Sequence, residues 1–354
     1  MDGKGGAVDG TGGGRRAYIG SYTSAGGRGI TTAAVDPDTG ALTVLDHTDA
    51  VPDPSYLVLG PGGDMLYAVS ETEDGKAAAL SLADPDRPRP AGGAVPVDGA
   101  GPTHLTCAAG RLITANYTSG SISSLPLRPD GTLGTPPTVL RHHGSGPVRS
   151  RQEGPHAHAV VPDPSGRWLL SVDLGTDSVW VHRLDGDALR PHGRTPMRPG
   201  SGPRHLAFHP NGKRAYVVNE LESTVTGCRW DGETGSLEPT GEARTLPKDA
   251  EEGENHPSEL AVSADGRRVW VANRGHDSIA VLALDREGEE MEPVTTVPCG
   301  GHWPRDLVLD PAGRRLYAAN ERSGDVTWFD LDPDGVPHRA GSIGAPAATR
   351  VLFA

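Results

Sequence analysis

The chain has 354 residues with 49 Gly and 32 Pro, 5% aromatic residues and a formal net charge of −13. That excess of turn formers excludes a bundle of long helices, and the acidic balance argues against nucleic acid or an anionic membrane as main partner, since both reward a basic patch. Cys107, Cys228 and Cys299 are odd in number, far apart and without CxxC spacing, which suggests neither a disulfide framework nor a zinc site, and no run of about 18 apolar residues occurs.

Residues 1–16, MDGKGGAVDGTGGGRR, are Gly-rich and lack an apolar signal-like core. They read as a disordered leader ahead of one domain over residues 17–354 in a soluble, cytoplasmic protein. Apolar strand-like segments then recur: AYIGSY from Ala17, LYAVSE from Leu66, LITANY from Leu112, LLSVDL from Leu169, AYVVNE from Ala215, VWVANR from Val269 and LYAANE from Leu316. Their starts are 49, 46, 57, 46, 54 and 47 residues apart.

Six of these seven segments follow a Gly-bearing turn, and ahead of each turn lies another strand, such as PTHLTC from Pro102, PRHLAF from Pro203 or PRDLVL from Pro304. The first segment has no such predecessor; the missing copy is ATRVLF from Ala348, at the other end of the chain. A period near 50 residues with about four short strands per unit predicts an all-β, seven-bladed β-propeller. The displaced strand makes sense if N- and C-terminal strands pair in one blade and close the ring. Trp230-Asp231 is the single Trp-Asp pair, so the repeat is not of the WD40 kind.

In a propeller blade the first strand lines the central channel and the second returns, so the start of one and the end of the other share a face. Those places are 16 residues apart: Ser55 and Glu71, His158 and Leu174, Arg204 and Glu220, Ser258 and Arg274, Arg305 and Glu321, with Thr103 facing Tyr117 across a shorter connection. Charged groups at the mouths of buried strands are costly unless paired or solvated. His158, Arg204, Glu220 and Arg274, from three neighbouring blades, therefore read as a site, whereas Arg305 and Glu321 fit an ion pair between blades equally well. His205, one residue beyond Arg204, is expected to point away from the site by strand alternation, into inter-blade packing.

Insertions at residues 141–156 and 243–256 emerge on the same face, and the first is expected to bring Arg141, His142, His143, Arg149, Arg151 and His156 over the pocket. His156 and His158 have the spacing that puts both on one strand face, but no third ligand stands at a matching register, so neither metal nor other cofactor is expected. His182, His192, His209 and His338 read as surface or turn residues, and AEEGE at 250–254 as a solvated loop.

YIGSYTS (18–24), ANYTSGSI (115–122), RQEGPHAH (151–158), DLGTDSV (173–179), GSGPRHLAFHP (200–210), NEL (219–221) and ANRGHDSI (272–279) together resemble the seven-bladed propeller lactonase family, which has 6-phosphogluconolactonase and carboxymuconate cyclase branches. The resemblance spans residues 17–354. It implies an active site at His158, Arg204, Glu220 and Arg274, with Arg151, Gln152, His156 and Asp173 as further substrate-binding positions. It also implies hydrolysis of a small, anionic sugar lactone, with 6-phosphogluconolactone the leading substrate.

Lactone hydrolysis needs an activated water, a stabiliser for the oxyanion and a proton for the leaving alkoxide. His158 can act as base, Arg204 and Arg274 as anion stabilisers, and Glu220 as the group that positions an arginine or delivers the proton. A serine nucleophile is disfavoured because no GxSxG elbow occurs. A lactonising isomerase of the cyclase kind and a non-catalytic interaction platform remain as alternatives. The expected assembly is a monomer or weak homo-oligomer.

Overall fold

The computed structural model describes residues 14–186, 188–250 and 253–354. Most of the leader, residues 1–13, and Glu251 and Glu252 of the acidic run lie outside the described residues. Seven antiparallel sheets follow one another around an axis. Blade 1 joins the two ends of the chain: Ala348–Phe353 is its inner strand, followed outward by Arg16–Ser21, Ile30–Val35 and Leu42–Thr48. The pairs Ala17↔Phe353, Tyr18↔Leu352 and Ile19↔Val351 close the ring. The ordered strand thus starts at Arg16, inside the stretch read as leader.

The inner and second strands of the other blades are Leu57–Leu59 and Met65–Ser70 (blade 2), Pro102–Ala108 and Arg111–Asn116 (3), Ala157–Pro162 and Trp168–Asp173 (4), Pro203–Phe208 and Arg214–Asn219 (5), His256–Val262 and Arg268–Arg274 (6), and Pro304–Leu309 and Arg315–Asn320 (7). Second strands are buried on both faces, which is why they read as unbroken apolar runs; outer strands such as Ser236–Arg244 keep only Leu237 and Ala243 inside. The core is accordingly divided into seven layers, one between each pair of adjacent blades. Among the described residues no helix is long and apolar enough to cross a membrane.

Six of the seven blade junctions are latched in the same way. An aromatic donor near the start of a second strand reaches a backbone carbonyl in the next blade's outer turn: Tyr18 to Pro85, Tyr67 to Gly131, Trp168 to Gly232, Tyr216 to Gly288, Trp270 to Gly335 and Tyr317 to Gly40, all at 2.7–2.9 Å. Gly40 shows why a glycine stands there: its φ is 70°, and a Cβ would come within 2.5 Å of the Tyr317 hydroxyl. At the remaining junction, between blades 3 and 4, the ring of His104 instead accepts the Val160 N–H at 3.4 Å.

The inner strands carry the feature that shapes the site. In six of them the pairing register shifts at the channel mouth, leaving Thr103, His158, Arg204, Ser258 with Glu259, Arg305 and Thr349 without a partner on the second strand. A β-bulge adds a residue and re-aims the side chains around it. Simple alternation therefore fails here, and His205 does not turn away from the channel. It lies on the axis below Arg204, its ring 5.2 Å from that of His104 and 5.1 Å from that of His158, and Nδ1 is 2.7 Å from Glu259 Oε2 of the next blade. The expected inter-blade contact exists, but inside the channel.

Candidate active site at the channel mouth

Glu220 directly follows the second strand of blade 5, where its N–H bonds to the Gly202 carbonyl at 2.7 Å and so returns it to the level of Arg204. Its carboxylate collects three guanidinium groups. Oε1 accepts from Arg151 of the insertion; Oε2 accepts from Arg274 Nη2 of blade 6 at 2.7 Å and lies 3.1 Å from Arg204 Nε. The Arg204 contact is an ion contact, since that N–H is not aimed along a hydrogen bond. Arg204 is held from its other side by the Ser258 carbonyl, and Arg274 Nε by the His256 carbonyl at 3.0 Å.

Burial alone would raise the Glu220 pKa, but Arg274, Arg204 and Arg151 outweigh it and hold the carboxyl well below its usual range. It is an anion at neutral pH and cannot serve as proton donor. Burial and the neighbouring Arg274 push Arg204 down to about 9, still protonated at neutral pH. Three guanidiniums therefore face one carboxylate, a local excess of positive charge around Glu220.

His158 borders this cluster. It is 5% exposed, its Nδ1 has no hydrogen-bond partner among the described residues, and its ring meets Tyr117 edge-on at 5.5 Å. Burial first, then Arg204 and His205, depress its pKa well below the ordinary histidine value, so it stands neutral. His156 stacks on the same Tyr117 ring at 4.5 Å, and both its nitrogens are committed, Nδ1 to the Tyr117 carbonyl at 3.0 Å and Nε2 toward Glu153 at 3.4 Å. The two histidines thus do not form a ligand pair. Among the described residues no group of three or more His, Cys, Asp or Glu side chains could hold a metal ion.

The remaining expectations divide. Arg151 reaches the mouth. Gln152 and Asp173 are fully buried and do not: Gln152 bonds Leu174 O and Asp177, while Asp173 accepts from the His156 and Thr176 N–H groups and from His142 at 2.6 Å. Both fasten the insertion that carries Arg151. His142 lies beneath the insertion, stacked on Trp180 at 4.7 Å with His143 against the same ring, so neither overhangs the pocket. His182 and His209 are also buried rather than superficial, bonded to Ser171 at 2.9 Å and to the Gly266 carbonyl at 3.0 Å. Asp173, His142 and Ser171 have the connectivity of a hydrolytic triad, with His142 Nε2 3.0 Å from the Ser171 oxygen. Ser171 is 0% exposed and shares its hydroxyl with His182, so no substrate reaches it.

Across the mouth lies a second group that sequence reasoning only half saw. Arg305 sits 3.7 Å from Glu71 of blade 2 and 3.5 Å from Glu321 of its own blade, and its guanidinium covers the Tyr22 ring at 5.0 Å. Tyr22 donates to Glu71 at 2.9 Å, and Ser55 bonds the same carboxylate. Arg305 and Glu321 therefore pair within one blade rather than bridging adjacent blades, and the second contact of Arg305 reaches across the channel. Trp303 was not anticipated. It precedes Pro304, adopts φ 66°, and lies under Arg274 at 5.6 Å and Arg322 at 3.4 Å. A bulky residue in the left-handed region is a strained outlier, and the signal was a Trp where Arg204's inner strand is preceded by Gly202.

Roomier grooves lie elsewhere, one on the opposite face beside Arg167, Arg214 and Trp230, one between outer strands beside Leu246 and Val294. In the first the arginines are already paired, Arg167 with Glu233 at 2.7 Å and Arg214 with Glu289 at 2.5 Å. Neither sets several guanidiniums around a single carboxylate beside a buried histidine.

Fold and mouth together define a closed seven-bladed propeller with a cluster of arginines around one carboxylate at its axial mouth. Residues 16–353 match the family described as Lactonase, 7-bladed beta-propeller. The chain belongs to this seven-bladed propeller lactonase family, enzymes that hydrolyse the ester bond of a lactone. It is 33% identical over 320 residues to the 6-phosphogluconolactonase of Bacillus subtilis strain 168, covering 90% of this chain and 91% of that one. The structure of a Bacteroides fragilis protein provisionally named 6-phosphogluconolactonase superposes with a TM-score of 0.90 at 28% identity, covering 98% and 100% of the two chains. The periplasmic gluconolactonase PpgL of Pseudomonas aeruginosa superposes with a TM-score of 0.88 at 30% identity, covering 96% and 98%.

Proposed function

We propose that the protein hydrolyses 6-phospho-D-glucono-1,5-lactone to 6-phosphogluconate, a step of the pentose phosphate pathway, without a metal ion. The observation that carries this reading is the excess of guanidinium over carboxylate around Glu220, beside a neutral His158. Arg204, Arg274 and Arg151 bind the substrate's anionic group and the oxyanion that forms as water adds to the lactone carbonyl. His158 takes the proton from that water and returns it to the ring oxygen as the ester C–O bond breaks. Glu220, kept ionised, positions the arginines rather than supplying a proton.

The depressed pKa of His158 makes it a weak base in the empty site. A bound anion offsets the arginine field that helps to depress it, so substrate binding strengthens the base. The name of the Bacillus subtilis relative supports a phosphorylated substrate; that of PpgL supports the unphosphorylated lactone in the same mouth. Hydrolysis of glucono-δ-lactone and its 6-phosphate by purified protein, with and without chelator and against the spontaneous rate, decides between them. Activity on neither would overturn the reading, and loss of activity with chelator would overturn its metal independence. Cytoplasmic location and a monomeric or weakly associating chain belong to the same reading, checked by fractionation and sedimentation.

A further inference from the structure

Each of five blades places a residue in the left-handed conformation immediately before its third strand: Gly120, Asp177, Ser223, Asp277 and Gly324, with φ of 58°, 46°, 53°, 54° and 69°. The backbone duty there is constant. The residue's carbonyl accepts the N–H of the residue that leaves the outer strand, as from Met197 to Asp177 at 2.8 Å and from Ala345 to Gly324 at 2.8 Å. Glycine performs that duty without strain, so the carboxylates at 177 and 277 serve something else.

Asp177 gathers three further donors. Oδ1 accepts from Gln152 Nε2 at 2.7 Å and from Gly202 N at 2.9 Å, and Oδ2 accepts from Gly200 N at 2.7 Å. Gln152 is the neighbour of Arg151, and Gly202 stands two residues before Arg204. One buried carboxylate therefore holds the side chain next to Arg151 and the backbone that leads to Arg204, two of the arginines on Glu220, one on each carboxylate oxygen. Asp277 repeats the device two junctions on, but toward Trp303 N at 2.8 Å and His302, with no link to the insertion.

We propose that Asp177 is a positioning residue that sets the spacing of Arg151 and Arg204 for the bound anion. This rests on the reading of the mouth as an anion-binding lactonase site. The test is a double-mutant cycle on kcat/KM with whichever lactone the wild type hydrolyses. Asp177→Ala lowers kcat/KM by about 10²-fold with circular dichroism unchanged, the scale of a misplaced binding group. Combined with Arg151→Ala, the losses fall short of multiplying by about tenfold, whereas Asp277→Ala and Arg151→Ala multiply to within about twofold, as independent sites do.

Losses from Asp177→Ala that multiply with those from Arg151→Ala, or equal coupling from Asp277→Ala, overturn the proposal. Should Asp177→Ala fail to fold, Gln152→Ala cuts only the loop link and must show the same coupling to Arg151→Ala; independence there overturns it too. A wild type inactive on both lactones but able to bind 6-phosphogluconate overturns the lactonase reading alone, and the cycle is then scored on Kd. No binding and no turnover overturn both.

Discussion

Arg274 of blade 6 donates to Glu220 of blade 5 at 2.7 Å, so the central carboxylate of the mouth is shared across a blade boundary. The pair ties the geometry of the site to the packing of the ring. Glu220→Gln removes the charge while keeping the shape, leaving three guanidiniums without their counter-ion. Breaking one side of a buried ion cluster costs about 3–5 kcal/mol. The expected result is a lower midpoint in chemical denaturation, partly restored by added phosphate; an unchanged midpoint argues against a shared anchor.

His158→Ala and Arg204→Ala are each expected to lower turnover by about 10²-fold or more with the fold retained, since one removes the base and the other an oxyanion partner. Initial rates corrected for spontaneous opening measure this. Near wild-type rates in both variants would remove the site from this mouth.

Ser171→Ala is expected to leave turnover within about twofold of wild type, because a fully buried serine in an Asp173–His142 chain contributes to stability and not to chemistry. A loss near 10²-fold would instead bring back a serine nucleophile.

Acid should destabilise the fold early. Burial pushes His182 down to about 3 and holds His104, His158 and His205 well below 6.5, the ordinary value. The unfolded chain binds protons at these sites below about 6.5 while the folded one does not, so stability falls as pH drops through 6.5. Glu220 adds a second loss below its ordinary 4.5, because its folded pKa is depressed and its contribution disappears as pH falls toward that value. Denaturation midpoints measured from pH 8 to 4 should decline from about 6.5 downward; a flat profile to pH 5 would contradict the burial of neutral histidines.

Tyr317→Phe breaks the latch to Gly40 that fastens blade 7 to the ring-closing blade. The expected loss is about 1 kcal/mol, the net worth of one hydrogen bond with a carbonyl left unpaired. Thermal unfolding of this variant beside Tyr216→Phe, the same latch between blades 5 and 6, checks whether the closing junction is special. Equal losses are expected if each junction contributes alike.

The sequence by itself determined what depends on local pattern. Apolar runs near a period of 50 residues, turn glycines and a first strand found only at Ala348 carry the seven blades and their closure. The 16-residue offset brings Arg204 to Glu220 and Arg305 to Glu321 because an inner strand, a turn and a second strand have fixed lengths. Only the tertiary structure decided the rest. The bulges at Thr103, His158, Arg204 and Arg305 arise from pairing between strands, so a period-2 pattern read along one strand turns His205 the wrong way. Arg151 reaches Glu220 while its neighbour Gln152 turns inward to Asp177, a choice made by contacts between residues 25 apart in the chain. Aromatic latches and the strained Trp303 likewise depend on which blade lies beside which, and a ring brings together residues whose separation along the chain carries no local signal.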